Sequence, residues 1–248
     1  MSLLTLGVET SGLIGAVVLR RDGETIESVT LQQAGRRHAQ TLISEVDALL
    51  RRANLTAKQL QVVAVSIGPG SFTGLRVGVV FAKTLAYAVG CRLIAVDTFR
   101  AIAAASPHDV TEVFVVSDAQ RGELFVGRYS LDDSATDHTS PTRERGNSTE
   151  EPSLAHRASV TNPIRQGEIT IEPADSFCRR AGEIAVSGPS AGTLPPTMRG
   201  LATEFHLPRA EFIAALGEQQ ALAGEQSDLW KLEPFYLRRS AAEEKAAS

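Results

Sequence analysis

Residues Val62–Ala88, VVAVSIGPGSFTGLRVGVVFAKTLAYA, contain three successive patterns that decide the fold. The stretch opens with a largely β-branched apolar run, Val62–Ile67, and passes through a glycine-rich elbow, Gly68–Gly74. It continues with about four turns of helical periodicity. Because a buried parallel strand reads as a near-continuous apolar run, the stretch predicts a strand, a tight turn and a helix. Open α/β sheets bind ligands at the carboxyl ends of their strands, and the elbow lies at such an end.

One stripe of this helix carries only small side chains, so another backbone can approach it closely. The stripe consists of Gly74, Gly78, Ala82 and Ala86. The opposite stripe consists of Arg76, Val80, Lys83 and Tyr87, which is typical of a solvated or ligand-facing side. The small stripe favours a packing surface over a close approach of the backbone to a ligand.

Composition places the chain among ordinary globular proteins. It has 248 residues, 43% of them hydrophobic, which is enough for a sizeable core. The formal net charge of −4 argues against a protein that binds nucleic acid unaided, because phosphate binding needs a dense basic surface. Any role with RNA therefore requires a partner.

Several features predict a cytoplasmic protein without a membrane segment. Cys91 and Cys178 lie far apart and form no C-x-x-C pair, which favours reduced, buried cysteines. The N-terminus has no basic region before its apolar part and carries Glu9, so it predicts a strand and not a signal peptide. No uncharged run approaches the roughly 18 residues that cross a membrane.

The order of predicted elements occurs twice along the chain, as β-β-β-α-β-α. In the first copy, three strands form an antiparallel meander at Leu3–Val8, Gly15–Arg20 and Glu24–Leu31. After them come a helix ending near Ala53, the central stretch, a strand at Arg92–Val96 and a helix at Thr98–Ala105 that is capped by Thr98. In the second, strands are predicted at Val113–Ser117, Leu124–Leu131, Glu168–Ile171 and Glu183–Val186, with helices at Ala174–Arg180 and Arg209–Ala223.

The duplication predicts two lobes, residues 1–107 and 108–239, followed by a polar tail at 240–248. Between Asp132 and Arg165 the apolar content collapses, and such a segment cannot bury enough surface to offset its ordering entropy. Residues 132–165 are therefore expected to form a mobile insertion in the second lobe.

The elbow has part of the pattern of a phosphate-binding loop, since backbone N–H groups before a helix attract anions. Gly68 and Gly74 are separated by five residues and followed by Leu75 and Arg76, whereas a Walker loop has four and then Gly-Lys-Ser/Thr. A structural turn and an anion site therefore both stay open. The candidate anion or nucleotide contacts are Gly70, Ser71, Thr73 and Arg76.

Three further motifs each have a structural and a chemical interpretation. Glu9, at the end of the first strand, is either a strand-end carboxylate or a residue that holds a cation through water. His38, at a helix start, favours capping or pairing over catalysis. The polar stretch Asp118–Glu123 predicts a turn between strands, and Glu233–Arg239 either anchors the C-terminus or contacts a partner.

Taken together, five stretches resemble the bacterial tRNA threonylcarbamoyladenosine biosynthesis proteins of the TsaB family, also called YeaZ and grouped with M22 glycoprotease-like proteins. The matching stretches are Glu9-Thr10, Arg37–Gln40, Gly68–Arg76, Asp118–Glu123 and Glu233–Arg238. The string Gly-Pro-Gly-Ser-Phe-Thr-Gly-Leu-Arg is the most specific of them, and together they extend nearly end to end.

The resemblance implies a duplicated α/β fold of the actin-like ATPase (ASKHA) class, with two lobes that each contain a mixed sheet flanked by helices. It also implies a non-catalytic subunit that works with the catalytic subunit TsaD and the ATPase TsaE. Together they transfer threonylcarbamoyl from its adenylate to the adenosine 3′ of the anticodon in tRNAs reading A-starting codons. The tRNA would be bound only through the complex.

The catalytic relative carries a His-x-x-x-His metal motif after the strand that follows the central helix. Here that place is Val96–Ile102, which contains no histidine, so we expect no catalytic metal. No cofactor is expected on the chain alone; a nucleotide at the interface with the catalytic subunit is left open.

The two predicted N-terminal helices could supply half of a four-helix interface with the catalytic subunit or with a second copy in a homodimer. The alternative is that both helices simply pack on their own sheet. The candidate partner-binding residues are Leu42, Val46, Leu49, Leu50, Gly74, Gly78, Ala82 and Ala86.

Two enzymes remain as alternatives to the non-catalytic subunit. An actin-class small-molecule kinase needs a second acidic phosphate motif, for which the Asp118 turn is the candidate. A standalone M22-type metallopeptidase needs metal histidines, and the position that would carry them has Thr98 and Ile102.

Overall fold

The computed structural model describes residues 2–31, 38–132 and 161–237. Its first sheet has the strand order β3-β2-β1-β4-β5, with β1, β2 and β3 antiparallel and β1, β4 and β5 parallel. The predicted meander is confirmed. The strands are β1 (Leu4–Glu9), β2 (Gly15–Arg21), β3 (Glu24–Leu31), β4 (Val62–Ser66) and β5 (Arg92–Val96).

Three helices follow strands of this sheet along the chain. Helices α1 (His38–Arg52) and α2 (Phe72–Val89) contribute to one core cluster with β1 and β4, and the short helix α3 (Thr98–Ala104) follows β5. Helix α2 begins at the N-cap Ser71 and ends at Gly90, whose φ of 74° is left-handed. A short 3₁₀ helix, Ala57–Gln59, precedes β4.

The second sheet has the order β10-β6-β7, and both β8 and β9 pair with β7. Its strands are β6 (Glu112–Gln120), β7 (Glu123–Asp132), β8 (Asn162–Arg165), β9 (Thr170–Pro173) and β10 (Ala185–Ser187). Helix α4 (Ala174–Arg180) packs against it, and short 3₁₀ helices lie at Ala191–Thr193 and Thr203–Phe205.

The predicted insertion 132–165 is corrected at its ends. Asp132 is the last residue of β7, and Asn162–Arg165 is β8, which pairs antiparallel with Tyr129–Asp132. The sequence of β8 does not by itself predict a strand, since it has only four residues and contains Pro163. The strand is defined by its pairing with β7. Residues 133–160, where the rest of that prediction falls, lie outside the described residues, as does the polar tail 240–248.

Helix α5 (Ala210–Leu222) corrects the predicted division of the chain at residue 107. It was expected to complete the second lobe, but Phe212, Ile213 and Leu216 pack with Val62 and Ile94 of the first sheet. A Cβ atom added to Gly217 would overlap that of Ala64, so helix and sheet are in very close contact. The order of elements cannot reveal this return, since it depends on contacts between residues far apart in sequence.

Helix α3 is capped differently from the prediction. The N-cap is Asp97, whose Oδ1 accepts hydrogen bonds from the backbone N–H groups of Phe99 at 2.8 Å and Arg100 at 3.3 Å. Thr98 is the first helical residue, and its hydroxyl oxygen accepts a hydrogen bond from the N–H of Gly68 at 3.0 Å. The side chain of Thr98, which was predicted to cap α3, therefore binds the elbow through Gly68.

Helix α2 is, within the described ranges, the one helix long and apolar enough to cross a membrane by length and composition. Its small stripe is buried in this fold, and Val79, Ala82 and Ala86 belong to the core formed with β1 and β4. Packing on the chain's own sheet therefore explains the apolar composition.

Candidate functional site

The elbow and the loop after β1 meet at the carboxyl ends of two parallel strands. The last paired residues of the parallel strands β1 and β4 are Val8 and Val65. Glu9 and the elbow therefore lie at the same end of the sheet. Gly74 and Gly78 are required here because a Cβ atom on either would overlap Thr10. The first two members of the small stripe therefore pack against the β1–β2 loop.

Hydrogen bonds join these two loops tightly. The hydroxyl of Thr10 donates to the carbonyl of Gly74 at 2.8 Å, and the N–H of Ser71 donates to the carbonyl of Ser11 at 2.7 Å. The hydroxyl of Ser71 accepts from the N–H of Gly74 at 3.3 Å. The N–H groups of Ser71 and Gly74, which an anion cradle would use, thus have acceptors inside the chain.

Glu9 is fully buried at this junction. Its Oε1 accepts hydrogen bonds from the N–H of Ser11 at 2.5 Å and from the hydroxyl of Ser11 at 2.6 Å. Burial raises the pKa of this carboxyl above its ordinary value, and hydrogen bonds from Ser11 and Ser66 oppose the rise. Among the described residues, Oε2 has no hydrogen-bond partner. This geometry favours the strand-end carboxylate over the cation-binding interpretation.

The four candidate anion contacts have different surroundings in the structure. Gly70 faces the β1–β2 loop, where an added Cβ atom would lie 2.7 Å from that of Ser11. Ser71 caps α2, and Thr73 is exposed. The guanidinium of Arg76 lies 4.0 Å from the centroid of the Phe72 ring and donates to the Tyr236 hydroxyl at 3.0 Å. Anion binding stays a prediction.

A C-terminal strap, residues 225–237, runs over the elbow and α2. The N–H of Phe235 donates to the carbonyl of Ile67 at 2.7 Å, and Lys83 Nζ donates to the carbonyls of Trp230 and Leu232 at 3.2 and 2.9 Å. Of the two interpretations of Glu233–Arg239, these contacts favour anchoring. Arg238 and Arg239 lie outside the described residues.

The residues predicted to bind a partner through α1 and α2 are covered by the chain itself. They are buried in the structure: Leu42, Val46, Leu49, Leu50, Gly74, Gly78, Ala82 and Ala86. Periodicity identifies an apolar face but not what covers it, and here the covering surface is the first sheet and its loops. Among the described residues of the two helices, the large exposed apolar side chains are instead Ile43, Val80 and Tyr87, at 67%, 63% and 68% exposure.

Two other predicted motifs have structural positions. Asp118–Glu123 spans the end of β6, the turn at Arg121 and Gly122 and the first residue of β7. Gln120, Arg121 and Gly122 all have positive φ, and Asp118 accepts from the N–H of Gln120 at 2.7 Å. This is the predicted turn. His38 is the first residue of α1, and the structure describes its backbone but not its side chain. Across the described residues, no group of three His, Cys, Asp or Glu side chains could hold a metal ion.

Sequence reasoning missed a polar cluster between the lobes. Asp97 Oδ2 accepts hydrogen bonds from the hydroxyl of Tyr129 at 2.9 Å and from Arg165 Nη1 at 3.3 Å. Burial raises the pKa of the Asp97 carboxyl, and the donors from Tyr129 and α3 oppose the rise. The available signal was the Asp directly before a short helix, which is a common N-cap.

Comparison with known families gives one match that spans much of the chain. Residues 24–182 match the family described as TsaD, tRNA N6-adenosine threonylcarbamoyltransferase. The matched segment includes α1, the elbow, α2 and most of the second sheet.

Curated relatives match part of the chain. A tRNA threonylcarbamoyladenosine biosynthesis protein TsaB from Bacillus subtilis is 30% identical over 137 residues, which cover 55% of this chain and 59% of the relative. The TsaB protein of Escherichia coli is 27% identical over 139 residues, with the same coverage of 55% and 59%. The chain thus spans about three-fifths of the length of the curated relatives it matches.

A solved structure matches almost the whole chain. YeaZ from Pseudomonas aeruginosa superposes with a TM-score of 0.73 at 22% sequence identity, covering 95% of this chain and all of that one. Together with the two mixed sheets flanked by helices, this likeness confirms the predicted duplicated actin-like fold.

Proposed function

We propose that this chain, which belongs to the TsaD family, tRNA N6-adenosine threonylcarbamoyltransferase, is a non-catalytic subunit in tRNA threonylcarbamoyladenosine biosynthesis. It supports transfer of threonylcarbamoyl from threonylcarbamoyl-AMP to the adenosine 3′ of the anticodon in tRNAs reading A-starting codons. The single observation that carries the proposal is the similarity to proteins named TsaB, joined to the family match. Its proposed partners are a TsaD-type catalytic subunit and the ATPase TsaE, in the cytoplasm.

The residues after β5 support a role without catalysis. The place expected to carry the two metal histidines has Thr98 and Ile102. The hydroxyl oxygen of Thr98 accepts a hydrogen bond from Gly68, and Ile102 is 1% exposed within a core cluster. An alkyl side chain offers no ligand atom, and the buried threonine is committed to the elbow. Catalysis is therefore assigned to the partner.

The partner surface is proposed on the exposed side of α2 and the adjoining strap. Val80 and Tyr87 point outward, and the Tyr87 ring meets the ring of Trp230 edge-on, with centroids 5.7 Å apart. Trp230 is 75% exposed. Large aromatic side chains dominate binding energy in many protein interfaces. The proposed partner for this surface is the catalytic subunit, and a second copy of the chain is the alternative outcome of the test.

Reconstitution tests the function. The purified chain, the catalytic subunit and TsaE from the same cells would be combined with tRNA and threonylcarbamoyl-AMP, omitting each protein in turn. We expect modified tRNA only when the chain is present together with the catalytic subunit. Robust tRNA modification or ATP hydrolysis by the lone chain, persisting after a further polishing column, would instead point to an enzyme such as an actin-class kinase.

A surface variant tests the proposed partner face. Val80→Glu places a charge on the exposed side of α2, and Ile26→Glu, at an exposed position of β3, is the matched control. We expect Val80→Glu to weaken capture of the catalytic subunit about tenfold or more, as for a hot-spot residue, with an unchanged melting temperature. Equal binding by both variants would exclude this face.

A further inference from the structure

Helix α3 belongs to the hydrophobic cores of both lobes. On one side, Ala101 and Ala104 pack with Val62 and Ile94 of the first sheet. On the other side, Phe99, Ile102 and Ala103 pack with residues of the second sheet, namely Val113, Val115 and Tyr129. A helix seven residues long is thus shared between the two lobes, and neither core can shift without moving it.

The carboxylate of Asp97 joins this helix to the second sheet. Oδ1 caps the helix through Phe99 and Arg100, while Oδ2 accepts from Tyr129 of β7 and Arg165 of β8. Tyr129 is fully buried, and a charged acceptor in a buried position makes strong hydrogen bonds. One side chain therefore fixes three elements relative to each other.

A second set of contacts attaches α3 to the segment that begins β8. Arg100 Nη2 donates to Oδ1 of Asn162 at 2.6 Å, and Nε donates to the carbonyl of Pro163 at 3.1 Å. Near the other end of the helix, the hydroxyl of Thr161 donates to the carbonyl of Ala104 at 3.4 Å. The helix is held along its length against one edge of the second sheet.

In the opposite direction, α3 is bound to the elbow by a reciprocal pair. The N–H of Thr98 donates to the carbonyl of Gly68 at 2.9 Å, and the N–H of Gly68 donates to the hydroxyl oxygen of Thr98 at 3.0 Å. Gly68 has a φ of 115°, and an added Cβ atom would lie 2.9 Å from the carbonyl oxygen of Phe235. A displacement of the elbow must therefore move Thr98 or break this pair.

We propose that α3 couples the elbow to the second lobe, with Asp97 as the positioning residue that transmits the displacement to β7 and β8. A ligand or displacement at the elbow changes how well β7 and β8 are ordered. A change at β8 in turn changes how well the elbow is ordered, and the coupling free energy is the same in both directions. The coupled unit contains the elbow, α3 and the β7–β8 pair.

Hydrogen exchange on the full chain tests the coupling with Arg165→Gln. This variant removes one donor to Asp97 at a partly exposed position of β8, far along the chain from the elbow. We expect backbone amides of residues 67–74 to exchange about tenfold faster, because a hydrogen bond to a charged group is lost at the far end of the unit. The matched control is Arg180→Gln, which removes an arginine of similar exposure from its pair with Glu172 in the same lobe.

A second variant keeps the proposal testable if the Arg165→Gln protein fails to fold. Tyr129→Phe keeps the buried ring and removes only the hydroxyl that donates to Asp97. It should likewise accelerate exchange at the elbow, while Arg180→Gln leaves the elbow at the wild-type rate. If both test variants loosen β7 and β8 with unchanged elbow amides, the lobes are independent and the proposal fails. Uniform acceleration that includes β2 and β3 also overturns it, since that result indicates general destabilisation.

Discussion

Gly78 illustrates how a single missing side chain determines the packing of α2. A Cβ atom at this position would overlap the hydroxyl oxygen of Thr10 and would also lie 3.5 Å from Val65 Cγ2. The same four-residue spacing would serve a contact with a partner equally well, so the spacing alone could not choose between the two surfaces. Burial within the chain decides the question for this residue.

Substituting Gly78 by Leu should therefore destabilise the isolated chain. Overpacking a close contact costs about 1–3 kcal/mol, which lowers the melting temperature by roughly 2–4 °C per kcal/mol for a chain of this size. Thermal unfolding followed by circular dichroism measures the change. Val80→Leu, at the exposed position two residues later, is the control and should leave the melting temperature unchanged. An unchanged melting temperature for Gly78→Leu, together with lost partner binding, would restore the partner-facing interpretation of the small stripe.

Glu9 predicts a pH dependence with a definite sign. Burial raises its pKa in the folded chain above the ordinary value of 4.5, so the folded state retains this proton to higher pH than the unfolded state. The contribution of Glu9 to stability is therefore greatest at acidic pH and is lost as the pH rises through the folded pKa. Asp97 and Glu218 have pKa values shifted in the same direction.

The comparison of wild type with Glu9→Gln isolates this contribution. The amide keeps an oxygen acceptor for Ser11 and cannot ionise. We expect the wild type to lose free energy of unfolding relative to Glu9→Gln as the pH rises above about 4.5, the ordinary glutamate value. Urea denaturation at several pH values between 4 and 8, a range in which carboxyl groups with raised pKa values titrate, measures the difference. A difference that grows in favour of the wild type with rising pH would show that the carboxylate is stabilised in the fold.

At the scale of elements, local sequence patterns predicted the bounds of those strands and helices whose structure depends on neighbouring residues. The bounds predicted for Glu24–Leu31, Arg92–Val96 and Ala174–Arg180 are those observed, because alternation, an apolar run and turn residues mark each of them. The elbow was also found, since its glycines stand between a strand and a helix. These features depend on contacts within a few residues.

Most of the features that the sequence patterns did not reveal depend on contacts between distant residues. Helix α5 packs on the first sheet, β8 exists through its pairing with β7, and the apolar face of α1 is covered by the chain's own core. Asp97 was missed as an interlobe residue for the same reason, since Tyr129 and Arg165 are more than thirty residues away in the sequence. Periodicity indicates that a face is apolar but not which element meets it.

The close contact of α5 with the first sheet can be tested by one substitution. Gly217→Ala adds a Cβ atom where Ala64 already lies, and the overlap should cost about 1–3 kcal/mol even though alanine favours helices. Amide exchange in β1 and β4 should accelerate together with that of α5. Leu222→Ala, on an exposed residue of the same helix, serves as the control and should be neutral. A stabilised Gly217→Ala chain would show that α5 is not held against the sheet.

At the scale of the whole molecule, charge determines what the chain can bind alone. The net charge of −4 repels the phosphate backbone, and two cations of α2 are engaged within the chain, Arg76 with Tyr236 and Lys83 with the strap. Electrostatic contacts supply essentially all non-specific affinity for nucleic acid. Under the proposed function, the chain would therefore reach tRNA only through its partner.

The lone chain should therefore bind tRNA only feebly, with a dissociation constant well above micromolar at about 150 mM salt. Fluorescence anisotropy of labelled tRNA measures the affinity for the chain, for the catalytic subunit and for the two combined. We expect binding to appear only when the catalytic subunit is present, because this chain, with its net charge of −4, offers tRNA no dense basic surface of its own. The salt dependence should then match that of the catalytic subunit, since the same phosphates are neutralised. A submicromolar dissociation constant for the lone chain, or a steeper salt dependence in the combination, would show that this chain contacts the tRNA phosphates directly.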